Sequence, residues 1–187
     1  MISFGGPGIM RHDPNFMAAY VVNHIIGGGG LSSRLYHEVR EKRGLAYSVY
    51  QTLLWMDHSA LFIGNTGTRA DRAGETLDAV EKEIRRMAEE GPTQQELDEA
   101  KSYLKGSQML QLDTSSKLAS GLLQYQLDRL PIDYLEKRNA IVDAVTLADA
   151  KAVAKRLWGQ GLLTVIVGRA PQAAAEPAAA TPPTKAD

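Results

Sequence analysis

The sequence predicts an α+β domain in which helices pack on one face of a small mixed or antiparallel sheet. Three observations indicate this fold class. Short runs rich in β-branched, aromatic and other apolar residues occur at the start, in the middle and at the end of the chain. Helical patterns with apolar residues at spacings of three and four lie between these runs. The resulting order is strand, helix, helix, two strands, several helices and strand.

The composition is that of an ordinary globular protein and narrows the function classes. The chain has 187 residues, of which 44% are hydrophobic and 23% are charged, enough for one domain and a tail. A nucleic-acid binder would carry a basic surplus, whereas this chain has 21 Lys and Arg against 22 Asp and Glu. Cysteine is absent, which excludes disulfides and thiolate metal sites. No apolar run is long enough to cross a membrane, and the start does not resemble a signal peptide.

The first predicted elements are a strand and a helix. The opening "MISF" is predicted to be a strand that "GGPG" ends. Asp13 is suited to cap a helix through "NFMAAYVVNHII", with Pro14 at its first position. The glycines Gly27 to Gly30 are predicted to end that helix, because glycine readily adopts the positive φ found at helix C-termini.

A short helix and a hairpin are predicted next. Ser32 or Ser33 is suited to cap the helix "SRLYHEVREKR", which Gly44 ends. The following runs "LAYSVYQTLLW" and "SALFIGNTG" are predicted to be antiparallel strands joined across "MDH".

The second half is predicted to be mostly helical. A long helix covers about residues 69 to 90, and Gly91 with Pro92 stops it. Thr93 and Glu96 form a capping box for the next helix, and helical patterns continue to about Leu130 with a bend near "LDTSS". The apolar positions that give the long helix one buried face are Ala73, Leu77, Val80, Ile84 and Met87.

Two helices, a strand and a tail complete the prediction. Pro131 and Asp133 open a helix that runs through Val142, and Thr146 caps the last helix. The closing "LLTVIVG" carries no charge, so it is predicted to be a central strand. The domain is expected to cover residues 1–168. Residues 169–187, rich in alanine and proline, are expected to form a disordered tail.

The stretch "GGGGLSSRLYHEVREKRGLAYSVY" is the candidate functional segment, and two interpretations of it fail. A phosphate-binding loop needs a lysine in GxxxxGK[ST] after a strand, whereas these glycines precede "LSSRL" and follow a helix. A zinc helix needs HExxH, whereas "HEVRE" offers His37 and then Glu41 with no second histidine on that face. An ordinary solvated helix is the favoured interpretation of "HEVRE".

Arg40 and Tyr47 form a third candidate within the same segment. Arg40 lies in the last turn of the short helix and Tyr47 just inside the next strand, so the turn at Gly44 can bring both donors over one spot. A peptide carbonyl or a developing oxyanion fits such a pair of donors. Two other interpretations stay open at this point. Arg40 lies in a charged patch that water can solvate, and Tyr47 alternates with apolar residues as a core residue would.

These motifs resemble a known family. The segment quoted above, with "GPTQQELDEAKSYLKGSQML" and the closing "LLTVIVG", resembles the second half of the pitrilysin/insulinase-like zinc metallopeptidases, in particular bacterial proteins similar to mitochondrial processing peptidase. The resemblance covers about residues 2 to 168. It implies two homologous halves that close around a peptide, with zinc bound by an HxxEH motif and a distal glutamate in the first half only.

The resemblance also implies roles for particular residues. The family's arginine and tyrosine, seven residues apart, contact the substrate backbone and match Arg40 and Tyr47. Its glycine-rich segment, implicated in substrate handling, matches Gly27, Gly28, Gly29 and Gly30. This sequence lacks the zinc-binding half, so we expect no catalytic residue, metal ligand or cofactor in this chain, and zinc in a partner half.

The predicted function is therefore that of the substrate-binding, zinc-free half of a zinc metalloendopeptidase, inactive without the HxxEH-bearing half. That half and peptide substrates are the expected partners, with a homodimer or heterodimer possible and neither nucleic acid nor membrane expected. The alternative is a non-enzymatic scaffold or assembly subunit of the same fold, in which changing Arg40 or Tyr47 affects stability alone. The compartment stays open, with a periplasmic parent protein suggested on family grounds.

Overall fold

The four strands form one antiparallel sheet. The computed structural model describes residues 1–110 and 112–168, so the predicted tail at 169–187 lies outside the described residues. The strand order is β2-β3-β1-β4, and every neighbouring pair is antiparallel, which confirms the predicted hairpin. The strands are β1 Ile2–Pro7, β2 Ala46–Trp55, β3 Ala60–Thr68 and β4 Leu163–Ile166.

Six α-helices and several shorter helical segments complete the described residues. Two of the shorter segments are π-helices, in which the backbone N–H bonds back over five residues. We call them the first π-segment, His24–Gly28, and the second π-segment, Tyr36–Glu41. The α-helices are α1 Phe16–Asn23, α2 Ala73–Glu90, α3 Gln94–Leu110, α4 Ser115–Leu127, α5 Tyr134–Ala144 and α6 Leu147–Trp158.

The hydrophobic core lies between the sheet and the helices α1, α2 and α6, which confirms the α+β class with helices on one face. Phe4, Leu53 and Phe62 project from three neighbouring strands toward the helices and are buried. The opposite face of the sheet carries exposed side chains, including Tyr50 and Leu54. In the described residues, none of the helices combines the length and apolarity needed to cross a membrane.

Local capping signals are confirmed where both partners lie within one turn. The Thr93 backbone N–H donates to Glu96 Oε2 at 2.7 Å, and the Glu96 N–H donates to Thr93 Oγ1 at 3.2 Å. Thr146 and Asp149 form the same reciprocal box at the start of α6. The bend near "LDTSS" is confirmed too, because Thr114 caps a new helix there.

Two predicted boundaries near the N-terminus are wrong. The glycines do not end β1, since the strand continues through Gly5 and Gly6 to Pro7. A Cβ on Gly6 would lie 2.8 Å from the Phe62 ring, so the missing side chain makes room for a core aromatic within the sheet. The helix starts at Phe16 because Asp13 instead forms a turn, its carboxylate accepting from the Asn15 N–H at 2.8 Å.

The predicted central position of the last strand is also wrong. β4 lies at an edge of the sheet and pairs with β1 alone. Ile166 shares the helix-facing side with Ile2, yet 53% of Ile166 is exposed while Ile2 is fully buried. The absence of charge in "LLTVIVG" therefore does not indicate burial on both faces, because the strand lies at an edge and is largely exposed.

Candidate functional site

A β-bulge places Tyr47 at the surface. Ala46 pairs with Thr68 and Val49 with Thr66, so β2 has two residues where β3 has one. The hydroxyl groups of Thr66 and Thr68 donate to carbonyls on either side of Tyr47, at 2.9 and 2.7 Å, and hold the bulge. Tyr47 is consequently 80% exposed, which excludes its interpretation as a core residue.

Arg40 lies against two tyrosine rings. Its Cζ is 4.6 Å from the centroid of the Tyr47 ring and 5.0 Å from the centroid of the Tyr36 ring. These are cation–π distances, and stacking on a ring leaves the N–H edges of a guanidinium free to donate. The structure thus brings the two predicted donors into direct contact, although they belong to a helix and a strand.

The charged residues around Arg40 pair with one another. Glu38 accepts from Lys42 and from Arg43, each at 2.6 Å. His37 contacts Glu41 one turn further on. Arg40 makes no ion pair with any of the described residues and instead contacts the rings of Tyr36 and Tyr47, which distinguishes it from the paired charges around it.

The second π-segment positions Arg40. Ser33, fully buried, accepts from the Tyr36 N–H at 3.4 Å, which supports the predicted cap. The Lys42 N–H then bonds to the His37 carbonyl, five residues back, at 3.0 Å. Gly44 has a φ of +57°, the left-handed conformation that glycine tolerates, and turns the chain into β2.

The predicted helix end at the glycines takes a different form from the one expected. α1 widens into the first π-segment, in which the Gly29 N–H bonds to the His24 carbonyl at 2.8 Å. Gly27 is buried, and a Cβ there would lie 2.7 Å from Gln51 N and from Gln51 Cβ. Gly28 and Gly30 are exposed, and Gly30 has a φ of +59° with open space around its Cβ position.

Gly27→Ala is therefore expected to destabilise the fold. The added methyl group would press on the backbone of β2, and overpacking of this kind costs about 1–3 kcal/mol. Urea unfolding followed by circular dichroism measures the loss.

Gly106→Ala is the matched control for this substitution. Gly106 lies within α3 with nothing near its Cβ position, so alanine there should raise stability by about 0.5–1 kcal/mol. Equal stability of the Gly27→Ala variant and the wild type would show that the glycine does not seat the segment against β2.

Arg34 forms a network that the sequence did not reveal. Its guanidinium binds both oxygens of Glu96 at 2.6 and 2.7 Å and also contacts Glu83 and the Gly91 carbonyl at 3.4 and 3.1 Å. The side chains of Arg34 and Glu83 are only 10% and 6% exposed. Because the partners lie 49 to 62 residues away, the arginine ties the segment before Arg40 to α2 and to the capping box of α3.

Two carboxylates near the site have strongly lowered pKa values. Burial would raise the pKa of Glu96, but hydrogen bonds from Arg34 and Thr93 overcome this effect and lower the pKa from its ordinary value of 4.5 to about 2. Burial also opposes ionisation of Glu38, and hydrogen bonds from Arg43 and Lys42 bring its pKa to about 2.

The stability of the chain is expected to fall in acid. The folded chain binds fewer protons than the unfolded chain at Glu38 and Glu96, because both pKa values are lower in the folded state. The stabilisation is fully present above about pH 5 and is lost as the pH falls toward 2. Urea midpoints measured between pH 7 and pH 2 should be level to about pH 5 and then decline. A Glu96→Gln variant should show a shallower decline, and an unchanged profile would contradict this assignment.

The described residues include no group of three or more His, Asp or Glu side chains that could hold a metal ion. His24, for example, stacks on Tyr103 at 4.8 Å between ring centroids, and burial lowers its pKa. The candidate site is thus a pair of donors at a helix–strand corner, beside a glycine segment packed on the same strand.

The fold is an antiparallel sheet with helices on one face, and comparison with known proteins identifies the class of domain to which it belongs. Residues 1–104 match the model of the peptidase M16 inactive domain. The crystal structure of a peptidase M16 inactive domain from Pseudomonas fluorescens superposes with a TM-score of 0.80 at 32% identity, over 94% of this chain and 42% of that one. The chain belongs to the peptidase M16 family and corresponds to its inactive domain.

Two curated relatives show how much of a longer protein this chain represents. An uncharacterized zinc protease of Streptomyces coelicolor is 34% identical over 170 residues, which are 89% of this chain and 36% of the relative. A non-peptidase homolog of Helicobacter pylori is 32% identical over 133 residues, which are 71% of this chain and 31% of the relative. The chain spans about a third of the length of the curated relatives it matches.

Proposed function

We propose that this chain is the substrate-holding, zinc-free half of a zinc metalloendopeptidase and that Arg40 and Tyr47 bind the backbone of the peptide. The observation that carries the proposal is the stacking of Arg40 on Tyr47, with Tyr47 held at the surface by a β-bulge. A purely structural arginine would be expected to have a carboxylate or carbonyl partner, as Arg34 has.

The chemistry of the pair suits a peptide carbonyl. A guanidinium edge and a phenol hydroxyl both donate, and neither can accept a proton from a substrate at neutral pH. Donors placed where negative charge develops stabilise the transition state more than the ground state. The zinc-bearing half would supply the activated water, while Arg40 and Tyr47 orient the scissile bond and stabilise its oxygen.

The glycine segment would contribute a surface that a peptide backbone can approach closely. Gly28 and Gly30 are exposed and carry no side chain that would obstruct a neighbouring chain. Gly27 is buried and would contribute indirectly. Its close contact with Gln51 packs the glycine segment against β2, the strand that also carries Tyr47. All four glycines are thus assigned to the proposed peptide-binding segment. Gly27 supports that segment through its contact with Gln51.

Hydrolysis of an internally quenched peptide tests the proposal. The chain alone, the HxxEH-bearing half from the same genome alone and an equimolar mixture of the two would be assayed, with complex formation checked by size-exclusion chromatography. Activity in the mixture alone supports a two-part protease. Equal activity of the HxxEH-bearing half without this chain would overturn the proposal.

A scaffold subunit is the second candidate, and one relative favours it. The Helicobacter pylori relative is described as a non-peptidase homolog. A scaffold would form a stable complex without hydrolysing any peptide, and Arg40→Ala would then leave complex formation unchanged. The mixture assay separates the two functions, since a folded but inactive complex supports the scaffold alone.

A further inference from the structure

We propose that Tyr36 is a positioning residue that fixes the guanidinium of Arg40 for substrate. This inference rests on the proposed function of Arg40. The observation behind it is that Arg40 lies against two rings, because its Cζ is 5.0 Å from the Tyr36 centroid as well as 4.6 Å from the Tyr47 centroid. The motif that predicted Arg40 and Tyr47 assigned no role to Tyr36.

The two rings differ in how firmly they are held. Tyr36 is partly buried and packs against the hydrophobic core, and its backbone N–H bonds to the buried Ser33. Tyr47 is 80% exposed and lies in the bulge, where it has no register partner on β3. Tyr36 therefore provides the fixed surface, while Tyr47 keeps the exposure needed to contact a substrate.

The local backbone explains why Tyr36 and Arg40 meet. They are four residues apart within the second π-segment, whose backbone bonds close over five residues, so both side chains lie within one turn. Arginine has many rotamers, and an unsupported guanidinium on the surface would sample most of them. Contact with an anchored ring removes part of that freedom before substrate binds, which is the condition for a preorganised donor.

The alternative is that Tyr36 only fills space at the edge of the core. In that case its ring matters for stability, and replacing it has no specific effect on Arg40. The two roles are separated by measurements on Arg40 itself. These compare a variant that keeps the ring with two variants that replace the ring by an apolar aliphatic side chain.

The experiment compares Tyr36→Phe, Tyr36→Leu and Tyr36→Met by NMR and by kinetics. In the isolated chain, both rings should shift the side-chain protons of Arg40 upfield in the wild type and in Tyr36→Phe. In Tyr36→Leu and Tyr36→Met the contribution of Tyr47 should fall as well as that of Tyr36, because a guanidinium that is no longer fixed also leaves the Tyr47 ring, whereas a space-filling Tyr36 would cost its own contribution alone. In the mixture with the HxxEH-bearing half, kcat should fall about ten-fold in the two aliphatic variants and return in Tyr36→Phe. KM should change little. Thermal unfolding identifies any variant that fails to fold. If one aliphatic variant is unfolded, the Arg40 shifts and kcat of the other aliphatic variant test the role of Tyr36.

The outcomes distinguish this inference from the proposed function. Unchanged Arg40 shifts in both aliphatic variants would overturn the inference. Lost shifts with wild-type kcat would also overturn it, while a large effect of Arg40→Ala in the same assay would leave the proposed function standing. Full activity of Arg40→Ala would overturn both roles. A Tyr36→Leu/Arg40→Ala double variant no slower than Arg40→Ala alone would support Tyr36 acting through Arg40.

Discussion

Under the proposed function, replacing Arg40 with alanine is expected to lower kcat of the mixture with the HxxEH-bearing half by about 10²–10³-fold, the usual effect of removing one oxyanion donor. KM should change much less, because the donor acts mainly where charge develops in the transition state. The guanidinium has no ion pair among the described residues, so its loss leaves no buried carboxylate unpaired and should cost little stability. Steady-state kinetics on the quenched peptide, together with thermal unfolding of the same samples, measure both quantities.

Arg43→Ala is the matched control for this substitution. Arg43 lies three residues further on, but it is paired with Glu38 through two contacts of 2.6 and 2.7 Å. Its loss should leave kcat within about two-fold of the wild type, while stability should fall because Glu38, whose side chain is only 13% exposed, keeps Lys42 alone as a charged partner. Equal kcat values for Arg40→Ala and Arg43→Ala would contradict the assigned role of Arg40, because losing the stacked guanidinium would then matter no more than losing a paired one.

Replacing Arg34 with methionine is expected to destabilise the chain by about 3–5 kcal/mol, the range for breaking a buried ion pair from one side. Methionine keeps much of the side-chain length, so the loss reports the charge and the hydrogen bonds more than the packing. Glu83 would stay buried with a weaker set of partners, and Glu96 would lose its bidentate contact. Chemical unfolding of the variant and the wild type at pH 7 gives the difference in free energy.

Arg86→Met provides the comparison for Arg34→Met. Arg86 also binds Glu83, at 2.8 Å, but its side chain is 45% exposed, so its loss should cost less than about 1 kcal/mol. Similar losses for the two variants would show that burial of Arg34 does not decide the energetics of this network. The expected contrast would show that the buried arginine, not the exposed one, contributes most of the stability of this network.

The features that could be predicted from the sequence are those whose causes lie within a few residues. The capping box of Thr93 and Glu96 is one example, since both partners belong to the same turn. The hairpin of β2 and β3 is another, because β-branched and aromatic runs separated by a short turn pair locally. Arg40 and Tyr47 were predicted as candidates because Gly44 turns the chain between them, but only the family resemblance selected them over a solvated patch.

The features that were missed depend on distant parts of the chain. The edge position of β4 follows from which strands pair with β1, and a run without charge is equally compatible with a central strand. The partners of Arg34 are 49 to 62 residues away, so nothing near "SSRL" distinguishes it from Arg40. The exposure of Tyr47 depends on a bulge that two threonine hydroxyls of the opposite strand hold.

Cross-linking of a bound peptide tests the central claim most directly. The photoreactive residue p-benzoylphenylalanine would replace Tyr47 in one variant and Leu127 in another, each mixed with the HxxEH-bearing half carrying Gln for the motif glutamate. Leu127 is also exposed, and Asp128 beside it bonds to Trp55 at the far end of β2. The proposal predicts a peptide adduct at position 47 and none at position 127, located by mass spectrometry. Equal labelling at both positions, or labelling at 127 alone, would contradict the assignment of a peptide to this corner.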